Sequence, residues 1–304
     1  MTKYSIYIFI LIILCVGCKR GKEKQGSSEA TVLSGEIVIA TDESLRPMVD
    51  ANIDVFLSLY NSASINCRYL SENDVIKLLL DEEIRFAVAA RPFNQSEVAF
   101  FESKSLAPLS IPIAYDAVAV IVNNENTVDS LSIEQLTDIL SGKLNNWSQV
   151  GGKNSVIRQI FDSESSGILR SLNDSLRLNN KISGQISFAG NIQMVPDSVM
   201  VNPDAIGFIG LNVISEKENP VVKAILKRVK VIAIDGKAPS IENLFDGNYP
   251  LMRKIYGLYT DPSGGLAKGF LAHLTTERGQ KIIYRIGLKP EHDFQRLVQI
   301  KVVD

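Results

Sequence analysis

Histidine, cysteine and tryptophan are scarce in this chain: 2, 3 and 1 among 304 residues. The scarcity excludes several chemistries. His273 and His292 both fall in the C-terminal segment, without the spacing of a metal pair, and neither H-E-x-x-H nor G-x-S-x-G occurs. No serine at a helix start has a histidine near it in sequence, so a serine hydrolase would need the fold to bring its base from a distance. A G-x-x-x-x-G-K-[ST] loop is missing too, and Gly142-Lys143 and Gly236-Lys237 read as loop turns. The formal net charge of −2 provides no general basic field for nucleic acid. The expectation is a protein that is not an enzyme and uses no cofactor or metal.

Only one long apolar run is present. Residues 4–14 (YSIYIFILIIL) follow Lys3 and precede Cys15, Val16, Gly17 and Cys18. A charged start, a short apolar core and small residues at its end describe a secretory signal, too short to cross a bilayer comfortably. The sequence V-G-C resembles a bacterial lipobox, which implies cleavage before Cys18 and attachment of lipid to its sulfur. Cys15 stands where that pattern usually has Leu. Residues 18–34 are polar and rich in Gly, Ser and Lys, and read as a flexible tether.

With Cys15 removed and Cys18 lipidated, Cys67 has no partner and reads as a small core residue. No disulfide framework exists despite the export signal. The fold must rest on a hydrophobic core, for which a 45% hydrophobic composition is ample.

The remaining chain alternates strands and helices. Residues 36–41, 65–70 and 85–90 are short, apolar and β-branched, with helical patterns between them over 49–60 and 74–80 and another helix after them at 95–104. This order predicts an α/β fold with a parallel sheet covered on both faces. Tyr115–Asn123 is a strand long enough to leave one lobe and enter another. Ser132 and Gln135 match a capping box, with Gly142 as the stop. Further strands are expected at 156–161, 206–210, 229–234 and 255–260. Ser165 is expected to open a helix to about Leu178, and two amphipathic helices (265–274 and 277–286) close the pattern.

Several stretches resemble PstS-type phosphate-binding proteins. LSIEQLTDILSGKLNNWSQVGG (131–152) is similar to L-T-x-E-Q-L-x-x-I-F-S-G-K-I-T-N-W-S-x-L-G-G, almost without gaps. IPIAYDAVAVIVNNEN (111–126), AIGFIGL (205–211), YPLMRKIYGLY (249–259) and ERGQKIIYRIGLKP (277–290) resemble other family segments. The resemblance implies a two-lobed periplasmic-binding-protein fold of type II, each lobe a mainly parallel sheet flanked by helices. Residues 35–114 plus 251–304 would form lobe I, 115–250 lobe II, and strands near 112–120 and 250–257 a two-strand hinge. It further implies a monomer in the cell envelope, lipid-anchored and periplasm-facing, that delivers a small inorganic anion to an ABC permease in the inner membrane.

A small oxyanion in a dry cleft needs amides, hydroxyls and a positive group, and strand-to-helix turns supply the amides. The resemblance assigns ligand contacts to four such turns. In TDESLRP (41–47) they are Ser44 and Leu45; in YLSEND (69–74), Ser71; in VAARP (88–92), Arg91; in FDSESSGIL (161–169), Ser165, Ser166 and Gly167. Asp116 is assigned to hinge hydrogen bonding, and Trp147 to packing under its loop. Three positions depart from the pattern: Ala90 replaces a serine, Ile168 a threonine and Asp162 an anion-pairing arginine. One reading keeps the oxyanion, paired by Arg91 with Arg46 or Arg158. The other, favoured by Asp162, is a sensory or interaction lipoprotein that has changed or lost the phosphate site.

Overall fold

The computed structural model describes residues 31–260 and 264–292. The leader, Cys18 and most of the tether lie outside the described residues. The chain runs β1 (Gly35–Asp42), α1 (Arg46–Leu59), β2 (Ala63–Leu70), α2 (Glu72–Leu80), β3 (Phe86–Ala89) and α3 (Gln95–Ser103). Next come β4 (Leu109–Asn123), β5 (Ser130–Leu131), α4 (Ile133–Leu140), β6 (Arg158–Phe161), α5 (Gly167–Ser175), β7 (Gln185–Phe188) and α6 (Met194–Met200). The order ends with β8 (Ala205–Gly210), α7 (Pro220–Leu226), β9 (Val229–Ile234), α8 (Ile241–Phe245), β10 (Met252–Tyr259), α9 (Gly265–Thr275), α10 (Glu277–Arg285) and β11 (Lys289–Pro290).

β2, β1 and β3 pair in parallel, as the alternating pattern requires. α1 covers them with Met48, Val49, Asn52, Ile53 and Phe56, a buried stripe at helical spacing. β6 is parallel to both β7 and β8, so each half has a parallel core. The sheet is nevertheless mixed, because β4 and β10 run antiparallel to their neighbours.

β4 is longer than its sequence suggested, starting at Leu109 and not Tyr115. Its first part pairs with β10, and Val118–Asn123 pair with β8 and β9. Pro112 lies inside it, opposite Tyr256, where the register shifts between Ile255 and Tyr256. Proline has no N–H to give the ladder, and an irregularity absorbs the loss. α5 differs at both ends from the expected helix. It is capped by Ser166, whose side chain accepts from the amides of Ile168 and Leu169, while Ser165 lies in the preceding turn. It stops at Ser175, before Arg177, Asn179 and Asn180 adopt positive φ. Cys67 is half-buried in β2 and not in the deep core.

Apolar packing divides in two along β4. One cluster joins Val118–Val122 to Trp147, Phe161, Phe208 and Tyr249. On the other side Ile39, Phe56, Phe86, Phe270 and Ile283 form a second, with a satellite of Val75, Leu79, Phe101 and Leu258. The result is a two-lobed α/β fold joined by crossing strands. Trp147 is buried and its Nε1 donates to the carbonyl of Asp204, pinning its loop.

In α9, His273 is buried against the rings of Phe56 and Phe270, and its Nε2 has no partner. Burial, reinforced by Arg278, lowers its pKa to about 4. The folded chain therefore holds fewer protons than the unfolded chain between that value and the ordinary histidine range. This contribution to stability is complete above the unfolded pKa and is lost as pH falls through the window. Urea unfolding should become easier by roughly 3 kcal/mol as pH falls across it, and His273→Phe should remove most of that loss.

Candidate functional site

The carboxyl ends of β1, β3 and β6 converge where the two lobes face each other, as expected of open α/β sheets. β1 delivers Asp42 and Ser44; β6 delivers Asp162 and the start of α5. Both Ser44 and Ser166 are buried, and so is Gly167. A Cβ at Gly167 would collide with Asp42 Oδ2 and lie 3.0 Å from Glu72 Oε2. The first turn of α5 thus rests directly against lobe I carboxyl groups.

At the centre stands a cation the turn-by-turn reading did not include. Arg253, at the start of β10, is almost wholly buried and pairs with Asp116 of β4, its neighbour across the ladder. Its Nε and Nη2 donate to Asp116 Oδ2 at 3.0 and 2.6 Å, and Nη1 donates to Ser44 Oγ at 3.0 Å. Asn212, just after β8, completes the cluster. Its amide nitrogen donates to Asp116 Oδ1 (3.2 Å), and Nδ2 donates to Asp116 Oδ2 (3.1 Å) and to the Ser44 carbonyl (2.9 Å). Gly210 makes room: a Cβ there would lie 2.5 Å from Asn212 Nδ2 and 2.7 Å from Arg253 Nη2.

A second ion cluster crosses between the lobes. Glu72, the first residue of α2, is buried and receives Arg170 of α5 through Nε and Nη2, while Arg170 Nη2 also donates to the Ala90 carbonyl at 2.9 Å. The Ala90 amide donates to Glu72 Oε2 (3.2 Å). Arg91 Nε reaches Glu72 at 3.6 Å, but its guanidinium is held bidentately by Glu97 at 2.7 and 2.8 Å.

These contacts revise several expectations. Arg91 is at the cleft edge but already engaged by carboxylates. Arg46 lies over the ring of Tyr69 at 3.9 Å, and Arg158 is exposed at the opposite end of β6 from Asp162. Neither accompanies Arg91. Ser71 is a plain N-cap: its hydroxyl accepts from the Asp74 amide. The Ser44 amide is already given to Asp42 Oδ1 at 3.0 Å, and the Leu45 side chain is core. Arg253 was available in the quoted YPLMRKIYGLY stretch. Glu72, Arg170 and Asn212 had no sequence signal, because the contacts that place them in the cleft are to residues far along the chain.

Asp42 and Asp162 are the unusual members. Each is at least nine-tenths buried, each keeps one carboxyl oxygen without a hydrogen-bond partner, and neither forms an ion pair among the described residues. Burial first, then Glu72, pushes Asp42 up to about 7, against the pull of Arg253. Burial likewise raises Asp162. A hollow of about 820 Å³ lies elsewhere, lined by Phe56, His273 and Arg278 of lobe I, far from these strand ends.

A buried arginine, two buried hydroxyls and a capped helix start at the strand ends of a two-lobed α/β protein define a solute-binding protein. Comparison with known proteins agrees: residues 26–278 match the PBP superfamily domain, and the chain belongs to that superfamily. It is 26% identical to the phosphate-binding protein PstS of Staphylococcus aureus over 80% of this chain and 73% of that protein. To protein SphX of Synechococcus elongatus it is 25% identical, over 75% of this chain and 69% of the relative. Its fold matches a Clostridium perfringens protein whose crystal structure holds bound phosphate. There the TM-score is 0.72 and the identity 22%, covering 85% of this chain and all of the other. Among the described residues no helix is long and apolar enough to cross a membrane.

Removing one member of the central pair tests the cluster. Asp116→Asn leaves Arg253 buried without its counter-charge, and denaturant unfolding should register a loss of roughly 3 kcal/mol.

Proposed function

We propose that this protein captures a small oxyanion of the phosphate class between its two lobes and hands it to an ABC permease. The observation that carries this reading is that buried Arg253 donates to the Ser44 hydroxyl while Asp42, two residues before Ser44, lies against Gly167 at the start of α5. A guanidinium supplies charge-assisted donors, a hydroxyl adds another, and a helix start offers amides with a favourable dipole. The phosphate-binding relatives and the phosphate-holding neighbour support the choice of anion. Division into residues 35–114 plus 251–304 and 115–250, hinged on β4 and β10, belongs to the same proposal, as does a monomeric state. Hinge closure over the solute is the motion such an architecture allows.

A second reading rests on Asp162. A carboxyl where the resemblance has an arginine, beside Asp42 and Glu72, opposes an anion in a low-dielectric cleft. The protein would then keep the fold as a sensory or interaction lipoprotein with a different ligand.

Calorimetric titration of the chain from residue 19 onward with phosphate separates the two. Micromolar or tighter saturable binding, weakened at least about tenfold in Arg253→Gln, supports oxyanion capture through the pairing in the cleft. An absence of heat and of thermal stabilisation at millimolar phosphate would favour the second reading.

Membrane attachment through Cys18 is proposed from the lipobox alone. Metabolic labelling with a fatty acid should mark the wild-type chain, and Cys18→Ser should abolish the label; labelling that survives the substitution rejects Cys18 as the anchor.

A further inference from the structure

Among the described residues, each arginine of the cleft already has a carboxylate partner. Arg253 is committed to Asp116, and Arg170 and Arg91 share Glu72, with Glu97 and Asp174 taking their remaining donors. Asp42 and Asp162 are left over. An arriving anion would thus meet two buried carboxyl groups that form no ion pair among the described residues.

Asp42 holds the more telling position. Its Oδ1 is fixed by the Ser44 amide, whereas Oδ2, buried and unpartnered, lies against the Cα of Gly167 at the opening of α5. That is where a bound anion would use the amides and dipole of the helix. Charged groups face Asp42 from every side: Glu72 from α2, Asp162 from the end of β6 and Arg253 from β10. Glu43 adjoins it in the chain and Arg170 lies just behind Glu72. Arg253 and the Ser44 amide pull toward the ionised form, while burial, Glu72 and Asp162 oppose it.

We propose that Asp42 places a proton condition on capture: the cleft accepts an oxyanion only when the Asp42 carboxyl is protonated. This inference rests on the oxyanion reading above. In the step, a proton from bulk water adds to the Asp42 carboxylate and forms an O–H bond. The anion's charge replaces the one removed, and Oδ2 turns from an orphan acceptor into a donor. Asp42 is thereby a specificity-determining residue, and capture from an acidic medium is favoured over capture from an alkaline one. The direction follows from linkage. Above the Asp42 pKa each anion bound must bring a proton into the protein, so affinity falls about tenfold per pH unit.

The experiment is calorimetric titration of wild type, Asp42→Asn and Asp42→Ser with phosphate at about pH 5.5 and about pH 8.5. Repeating each titration in two buffers of different ionisation enthalpy counts protons taken up per anion. Wild type should bind at least about tenfold more weakly at the higher pH and take up close to one proton there. Asparagine keeps the oxygen that accepts from Ser44 and cannot ionise. Asp42→Asn should bind at the higher pH at least about tenfold more tightly than wild type, with proton uptake reduced to the contribution of phosphate itself. Asp42→Ser should do likewise, and thermal unfolding of both variants checks that they are folded. Binding whose pH dependence and proton count are the same in wild type and folded variants overturns the inference and leaves the oxyanion reading intact. Failure of all three proteins to bind phosphate at either pH overturns the oxyanion reading and the inference with it.

Discussion

The Asp116–Arg253 pair is the constraint around which the molecule is arranged. It sits where β4 and β10 cross between lobes, at neighbouring ladder positions, with both side chains almost completely out of water. Burying two charges is costly unless the geometry is good and the leftover hydrogen-bonding positions are satisfied. Here the guanidinium has the Ser44 hydroxyl and the carboxylate has the backbone and side chain of Asn212. Those partners follow β1 and β8, so satisfying the pair draws the ends of these two strands together at the crossing. Gly210 follows from the same demand, because the cluster occupies the volume of any larger side chain.

Once that pair is fixed, the charge balance of the cleft is largely decided. Arg170 reaches from α5 across to Glu72 and the Ala90 carbonyl, and so ties the start of that helix to the turns after β2 and β3. Arg91 leans on the same glutamate but is held by Glu97 within its own lobe. Asp42 and Asp162 form no ion pair among the described residues, and burial raises both. Scaffold and site rest on different contacts. The two-lobed sheet follows the superfamily, whereas Ala90, Ile168 and Asp162 stand where the resemblance implied a hydroxyl or a guanidinium, and of these Ile168 lies in the apolar core. That division is expected, since a fold is set by many apolar contacts and a ligand site by few polar ones.

Much of the architecture was legible locally. The alternation of apolar strands with helical stripes over 36–104 gave the parallel unit, and Ser132 with Gln135 forms the capping box their spacing suggested. Signals failed where neighbours far along the chain decide conformation. Leu109–Ala114 were not read as the start of the long strand, and it is pairing with β10, with a register shift opposite Pro112, that extends β4 through them. β7 is short and mostly exposed, and α6 carries Pro196 within it, so neither has a clear apolar period. Ser165 and Ser166 are equivalent as candidate caps by composition; only the backbone turn selects Ser166.

By itself the sequence determined the class of fold, the order of its elements and the turns that would gather at the cleft. These depend on period, propensity and capping, which act over a few residues. Tertiary structure alone decided how the charges pair. Arg253 lies 137 positions from Asp116 and 209 from Ser44, and Arg170 lies 98 from Glu72. No local pattern links such residues, and whether an arginine or a carboxyl in this cleft is free depends on partners that only folding brings within hydrogen-bond reach.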